Sequence, residues 1–211
     1  VGGFAHVIEL YTYPTANGQR ASVMLAACGL EYRVHRIDLR AGESRTAEFL
    51  SINPAGGIPV IVDPDGPGGQ SLALSQSGAI MLYLAEKTGR FLPSAPAERV
   101  EVLRWLMAVM TDPAAASASI FLTGMASDPP PAAAVALWER RLIDVLQVYD
   151  AQLAGQDWLA GALSIADLAL YPTYVTRRSL IESRASYGNL ARWAGRLDAM
   201  PAVQRGMSAG A

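Results

Sequence analysis

The 211-residue chain is 51% hydrophobic and 17% charged, too apolar for a disordered protein and long enough for one large or two small domains with real cores. A net charge of −2 gives no electrostatic case for nucleic acid or an anionic membrane surface, and no uninterrupted apolar run approaches the roughly 18–20 residues of a spanning helix. Cys28 stands alone, which excludes an internal disulfide and a Cys-x-x-Cys redox pair, and Val1–His6 lacks the basic and apolar regions of a signal peptide. The expectation is a soluble, cytoplasmic protein.

In chain order, His6–Tyr11 reads as a first strand rich in β-formers. The turn-rich stretch Thr12–Gly18 follows, with Asn17 placed as the N-cap of a helix over Ala21–Ala27 that Gly29 closes. Tyr32–Leu39 alternates like a strand. A polar loop through Ala41–Ser44 leads to a short helical piece near Ala47–Leu50. In Ile52–Val62, four residues that discourage regular structure (Pro54, Gly56, Gly57, Pro59) run into the β-branched strand Val60-Ile61-Val62. Pro59 has no N–H and belongs at a strand's first position, and it pushes Ile58 toward an extended conformation with backbone groups free to pair with a peptide. Asp63–Gly69 reads as a turn, so Ser71–Leu74 is expected to return antiparallel as a hairpin. Ser75-Gln76-Ser77-Gly78 opens a helix that Gly89 closes.

The texture changes after Phe91–Pro96, which reads as a linker. Helical periodicity dominates from there: Ala97 to about Thr111, Pro131–Leu153, Ser164 to about Ile181, and Leu190–Met200. Ser164-Ile165-Ala166-Asp167 fits a capping box whose expected role is folding. Pro113–Pro130 is Ala/Ser-rich and then proline-rich, and carries no assignable boundaries.

Few candidate chemistries survive. His6 and His35 are the only histidines and have no partner at ligand spacing, so no metal is expected; no Gly-x-Ser-x-Gly elbow supports a Ser/His/Asp triad. Cys28 falls late in a helix beside apolar residues and reads as a buried structural thiol. The four tryptophans read as packing residues. Three segments remain that can converge: Tyr13, Thr15 and Asn17 at one helix N-terminus, the free backbone of Ile58-Pro59, and Gln76-Ser77 at a second helix N-terminus suited to a carboxylate. Such a site suits a short, extended, carboxylate-bearing peptide.

Asn53-Pro-Ala-Gly-Gly-Ile-Pro59, Ser75-Gln-Ser-Gly-Ala-Ile80, Tyr83-Leu-Ala-Glu86 and Ser164-Ile-Ala-Asp167 together resemble the glutathione transferase superfamily, in register over nearly the whole chain. Tyr13-Pro-Thr-Ala-Asn-Gly18 is similar to the turn of nu-class bacterial enzymes of disulfide-bond oxidoreductase type. The resemblance implies an α/β thioredoxin-like N-terminal domain (1–89), a linker (90–96) and an all-α C-terminal domain (97–211) that forms the electrophile pocket. It also implies a cytoplasmic homodimer with glutathione as co-substrate, no metal, and a detoxifying or reducing role on a small electrophile, disulfide or peroxide.

Carried over by position, the resemblance has Thr15 and Asn17 hold and activate the glutathione sulfur, with Tyr13 as a rival donor. Ile58, before a cis Pro59, pairs with the cysteinyl backbone, and Gln76 and Ser77 take the γ-glutamyl end. Ser44 stands where nu-type enzymes usually carry Gln, and Gly57 where many relatives have Lys, Arg or Gln, which implies weaker or differently anchored glutathione. Tyr171, Tyr174, Arg177 and Arg178 are the expected pocket-facing residues on the helix after Asp167. Two alternatives stay open: a binding or regulatory protein of this fold with little catalysis, and a glutathione-dependent isomerase or ether-cleaving enzyme.

Overall fold

The computed structural model describes residues 7–210; His6 as the opening of the first strand, and the Val1–His6 stretch read against a signal peptide, lie outside them. The chain divides into two compact units, one running to Thr88 and resuming at Pro201, the other Gly89–Met200.

The first unit is a four-stranded sheet in the order β2-β1-β3-β4, from β1 (Ile8–Thr12), β2 (Tyr32–Arg36), β3 (Val60–Asp63) and β4 (Leu72–Ser75). Helix α1 (Ala16–Cys28) connects β1 to the parallel β2. The short α2 (Ala47–Ile52) precedes β3, which runs antiparallel to both β1 and β4, and α3 (Ser77–Thr88) follows β4. Alternate residues of β1 (Ile8, Leu10, Thr12) are buried, as period-two geometry requires of a half-covered strand. Strand β2 stops at Arg36 rather than Leu39 because Asp38 Oδ1 accepts the Arg40 and Ala41 amides (2.9 and 3.2 Å) and turns the chain. At the other end of β3, buried Asp63 accepts the Tyr83 hydroxyl (2.6 Å) and the Lys87 ammonium (2.9 Å), which ties the hairpin to α3. Burial pushes the Asp63 carboxyl up, but these donors, the Asp65 amide and the Lys87 charge together hold it below its ordinary range.

Helix α1 is the centre of this unit, with Ala21, Val23, Met24 and Leu25 fully buried. It begins at Ala16, five residues earlier than the sequence suggests, and its N-cap is Thr15, not Asn17: Thr15 Oγ1 accepts the Gly18 amide at 3.2 Å. Asn17 and Gly18, which read as turn residues, lie inside the first turn. Glycine is required there because a β-carbon would sit 2.2 Å from the Tyr13 carbonyl oxygen and 2.4 Å from Thr12 Oγ1. Cys28, at the far end of α1, is buried and accepts a hydrogen bond from Thr88 Oγ1 at 3.4 Å.

The last helix, α10 (Pro201–Ser208), belongs to this unit, which corrects the assignment of all residues from 97 onward to the helical domain. It packs on α1 through Gly206, whose absent side chain lets the backbones approach; a β-carbon would lie 2.4 Å from Val23 Cα. Ser22 Oγ donates to the Gly206 carbonyl (2.7 Å) and Gln19 Nε2 to that of Met207 (3.1 Å), which fixes the register of the pair.

The second unit holds α4 (Pro96–Thr111), α5 (Pro113–Gly124), α6 (Ala132–Gln152), α7 (Ile165–Thr176), α8 (Arg178–Arg184) and α9 (Gly188–Asp198). Helix α5 occupies most of the stretch that the sequence leaves unassigned. End to end, Pro96–Gly124 is long and apolar enough to cross a membrane by length and composition, which the sequence reading did not anticipate. Asp112 (φ −109°, ψ −83°) and Pro113 divide it into two helices, and Trp105, Leu106, Val109, Ala116 and Ile120 are buried. The helix expected over Ser164–Ile181 also divides, at Arg177, whose guanidinium donates to the Ser117 carbonyl on α5 at 2.9 Å.

The capping box is present, and Asp167 does more than cap. Fully buried, it accepts the Ser164 amide and hydroxyl (3.1 and 3.0 Å), the Leu159 amide (3.0 Å) and the Trp193 indole N–H (3.0 Å), which joins α7, the preceding loop and α9. Its burial raises the carboxyl's pKa even against these four donors.

Candidate functional site

Strand register decides which loops share an end of the sheet. Val60 pairs with Tyr11 on one side and Ser75 on the other. The chain leaving β1 (Tyr13, Thr15, Asn17), the chain entering β3 (Ile58, Pro59) and the chain leaving β4 (Gln76, Ser77) therefore depart from the same end. The parallel strand β2 brings Arg36 to that end too, opposite Thr12, and its guanidinium lies over the Tyr13 ring, 4.9 Å from the centroid.

The first segment is built by α1. Thr15 is half-buried in an extended conformation (φ −115°, ψ 160°), and its own N–H donates to the Tyr13 carbonyl at 2.7 Å. Its Oγ1 spends one lone pair on the Gly18 amide, and a hydroxyl keeps a hydrogen to donate after capping. The capping and donor roles are therefore compatible. No acidic residue stands in the first turn of α1 to oppose an anion there. Asn17 is half-buried on that turn, and its Oδ1 accepts a hydrogen bond from the guanidinium of Arg20, a residue with no exposed surface. Burial lowers the Arg20 pKa to about 10, which leaves it charged at neutral pH. Tyr13 is buried at 9% exposure with its ring beneath Arg36.

The second segment is held by Asn53, whose Nδ2 donates to the Gly57 carbonyl (2.7 Å) while its Oδ1 accepts the Ala55 amide (3.2 Å). The Ile58–Pro59 bond is cis and the ladder stops at Val60, so Ile58 stays outside it. Ser44 is buried in the tight turn Glu43–Arg45, where Gly56 packs close to its carbonyl oxygen.

The third segment departs from ordinary backbone geometry. Gln76 has φ +72°, a left-handed conformation that costs a non-glycine residue roughly 1 kcal/mol or more. It stands directly before α3, whose first intrahelical bond runs from the Ile80 amide to the Gln76 carbonyl (2.9 Å), with Ser77 buried behind it. The leading N–H groups of a helix beside an exposed glutamine amide are chemically suited to a carboxylate.

Of the expected electrophile-pocket residues, the two tyrosines are packed inside the helical unit and Arg178 is part-exposed. Tyr171 and Tyr174 are each 1% exposed, with their rings edge-on to Trp193 at 6.2 and 6.1 Å. Their hydroxyls donate to Asp198 (2.6 Å) and Glu182 (3.4 Å), and Arg178 makes two bonds to Asp198 at 3.0 and 2.9 Å. Aromatic residues three apart on α7 lie on one helix face, and Trp193 of α9 takes up that face. Neither Arg20 nor Arg36, both placed at this end of the unit, stands out in the sequence. The available signal for Arg20 was its i,i+3 spacing from Asn17 in an Ala-rich helix; nothing in the sequence marks Arg36. Among the described residues no His, Cys, Asp and Glu cluster could hold a metal.

The chain matches the family models described as "Glutathione S-transferase, N-terminal domain" over residues 16–87 and "Glutathione S-transferase, C-terminal domain" over residues 100–201. It is 34% identical over 201 residues to the disulfide-bond oxidoreductase YfcG of Escherichia coli (strain K12), covering 93% of each chain. A glutathione transferase from Pseudomonas putida, with one glutathione disulfide bound per subunit, superposes with a TM-score of 0.87 at 32% identity, over 98% of this chain and 93% of that one. One from Pseudomonas fluorescens pf-5, with two glutathione bound, also gives 0.87, at 33% identity over 99% and 95%.

Proposed function

Because the chain belongs to the glutathione S-transferase family, we propose that it is a glutathione-dependent thiol–disulfide oxidoreductase that seats and ionises the thiol of bound glutathione. The observation that carries this is the shared sheet end: a peptide laid beside Ile58 reaches a helix N-terminus on either side, one with Thr15 and Asn17, the other with strained Gln76. Names carried by the relatives, disulfide-bond oxidoreductase and glutathione-disulfide-bound transferase, support the reaction class.

In this reading the Ile58 backbone pairs with the cysteinyl residue of glutathione, and Gln76, Ser77 and the α3 N-terminus take the γ-glutamyl carboxylate. Thr15 Oγ1 and Asn17 Nδ2 donate to the sulfur. A thiol of pKa about 8.5 is mostly protonated at neutral pH, and lowering it by one unit takes about 1.4 kcal/mol. Two donors at roughly 0.5–3 kcal/mol each suffice. The bound thiolate attacks one sulfur of a disulfide, forms a mixed disulfide and expels the other half as thiolate. A second glutathione attacks the mixed disulfide and leaves as glutathione disulfide with the second thiol released. No protein sulfur takes part, which fits the one buried cysteine. Attack on an electrophilic carbon by the same thiolate is the transferase branch of this chemistry. The active form in this proposal is a homodimer, and exposed Val100 and Met107 on α4, with Leu122 on α5 and Met125 just past its end, support a second copy on those helices.

Calorimetric titration with reduced and oxidised glutathione, alongside turnover of a model disulfide and a generic aryl halide, tests the proposal. The expected result is binding of both forms and faster turnover of the disulfide. Absence of binding at millimolar glutathione would overturn it in favour of a regulatory protein of this fold. Asn17→Ala is expected to raise the pKa of the bound thiol and slow turnover at neutral pH; an unchanged pH–rate profile would move the donor role to Thr15 or Tyr13.

A further inference from the structure

Arg20 is the buried cation that the reaction scheme leaves without a task. Arginine is almost never fully buried without a partner, and a well-packed apolar side chain of similar volume usually serves stability as well or better. Here the guanidinium has no exposed surface and donates to Asn17 Oδ1, three residues earlier on α1. The contact settles an ambiguity intrinsic to asparagine. Its carboxamide has an acceptor end and a donor end of nearly the same shape, and rotation about χ2 exchanges them. With Oδ1 committed to an N–H donor that can never accept, the flipped amide would set Nδ2 against the guanidinium. The Nδ2 donor is thereby held on the other side, on the half-buried first turn of α1. Donation into the carbonyl also polarises the amide and makes its N–H a better donor.

We propose that Arg20 is a positioning residue for thiol ionisation, fixing Asn17 so that its Nδ2–H faces the glutathione sulfur. The inference rests on the proposed donor role of Asn17. Other titratable groups come from the elements packed on α1: Glu9 and Tyr11 on β1, Tyr83, Glu86 and Lys87 on α3, and Arg205 on α10. Glu9 is engaged by Arg33 and His35, and Tyr83 and Lys87 by Asp63.

The test follows the thiolate ultraviolet absorbance of bound glutathione against pH in the parent, Asn17→Ala, Arg20→Met and the double variant, with glutathione affinity measured in each. Arg20→Met is expected to raise the bound thiol pKa by about one unit, a roughly tenfold loss of thiolate near neutral pH. In the Asn17→Ala background the same change is expected to add nothing. A folded Arg20→Met with an unchanged thiol pKa overturns the proposal, and so does a shift of equal size in the absence of Asn17. Where Arg20→Met fails to fold, Arg20→Lys takes its place in the same cycle. Lysine keeps the charge but loses the planar fork. A smaller shift that requires Asn17 supports the proposal, and no shift, or one independent of Asn17, overturns it. If Asn17→Ala alone leaves the titration unmoved, the donor assignment itself fails, whereas a shift with Asn17→Ala and none with Arg20→Met removes only the part given to Arg20.

Discussion

Replacing Gly18 with alanine probes how tightly the first turn of α1 is held against the chain before it. The added β-carbon would lie 2.2 Å from the Tyr13 carbonyl oxygen and 2.4 Å from Thr12 Oγ1. Close carbon–oxygen contacts in proteins begin near about 3.3 Å, so one side must retreat by about 1 Å. Neither neighbour is a flexible side-chain tip: one is backbone, and Thr12 is 1% exposed. Overpacking of this kind costs about 1–3 kcal/mol, and the better helix propensity of alanine returns at most about 1 kcal/mol. The net loss expected is about 1–2 kcal/mol, a fall of roughly 5- to 30-fold in the folded-to-unfolded ratio. The same retreat lengthens the 3.2 Å bond from the Gly18 amide to Thr15 Oγ1, so glutathione binding should weaken together with stability. Urea denaturation read as a midpoint shift at constant slope measures the first effect, and calorimetric titration the second. A variant as stable as the parent, with undiminished affinity, would refute the reasoning.

Gln76→Gly removes the penalty of φ +72° at the cost of a more flexible unfolded chain, so stability should stay within about 1 kcal/mol of the parent while glutathione affinity falls; equal affinity would show that the side chain contacts nothing in the ligand. Asp63→Asn should lower stability near neutral pH by about 2 kcal/mol, because the Tyr83 and Lys87 donors lose a charged acceptor. The folded-state pKa of Asp63 is depressed, so its contribution is present above the ordinary carboxylate value and lost as pH falls through the folded one. Stability curves for parent and variant should therefore converge on acidification, and parallel curves would contradict this. Gly206→Ala should lower the melting temperature, since the new carbon meets backbone atoms of Ser22 and Val23 that cannot rotate away; a rise, as helix propensity alone dictates, would show that α10 is free to shift.

The parts of the fold legible from sequence are those with local causes. Pro59 ahead of a β-branched run marks the start of β3, Gly89 (φ +66°) ends α3, and the Ser164-to-Asp167 spacing sets the cap of α7. The start of α1 was misread because Asn17 and Gly18 are turn residues by propensity, whereas Gly18 is helical through contact with Thr12 and Tyr13, which composition does not encode. Tyr171 and Tyr174 looked suited to a pocket because tyrosine serves both packing and binding, and only the position of Trp193 assigns them to the core. Arg20 stayed hidden for the opposite reason: an arginine in sequence is read as solvated, and its burial is a tertiary fact. The attachment of α10 to α1 is a pairing between distant parts of the chain, and its one local trace is a glycine.

That attachment bears on how the protein is made. The unit built around α1 is split in sequence, and the closing piece leaves the ribosome after every residue of Gly89–Met200. At roughly 5–20 residues per second, the nascent sheet waits on the order of 10 s with Ser22 and Val23 uncovered. Translation order thus obliges the helical unit to emerge, and gives it time to settle, before the half that carries the proposed thiol site can be sealed.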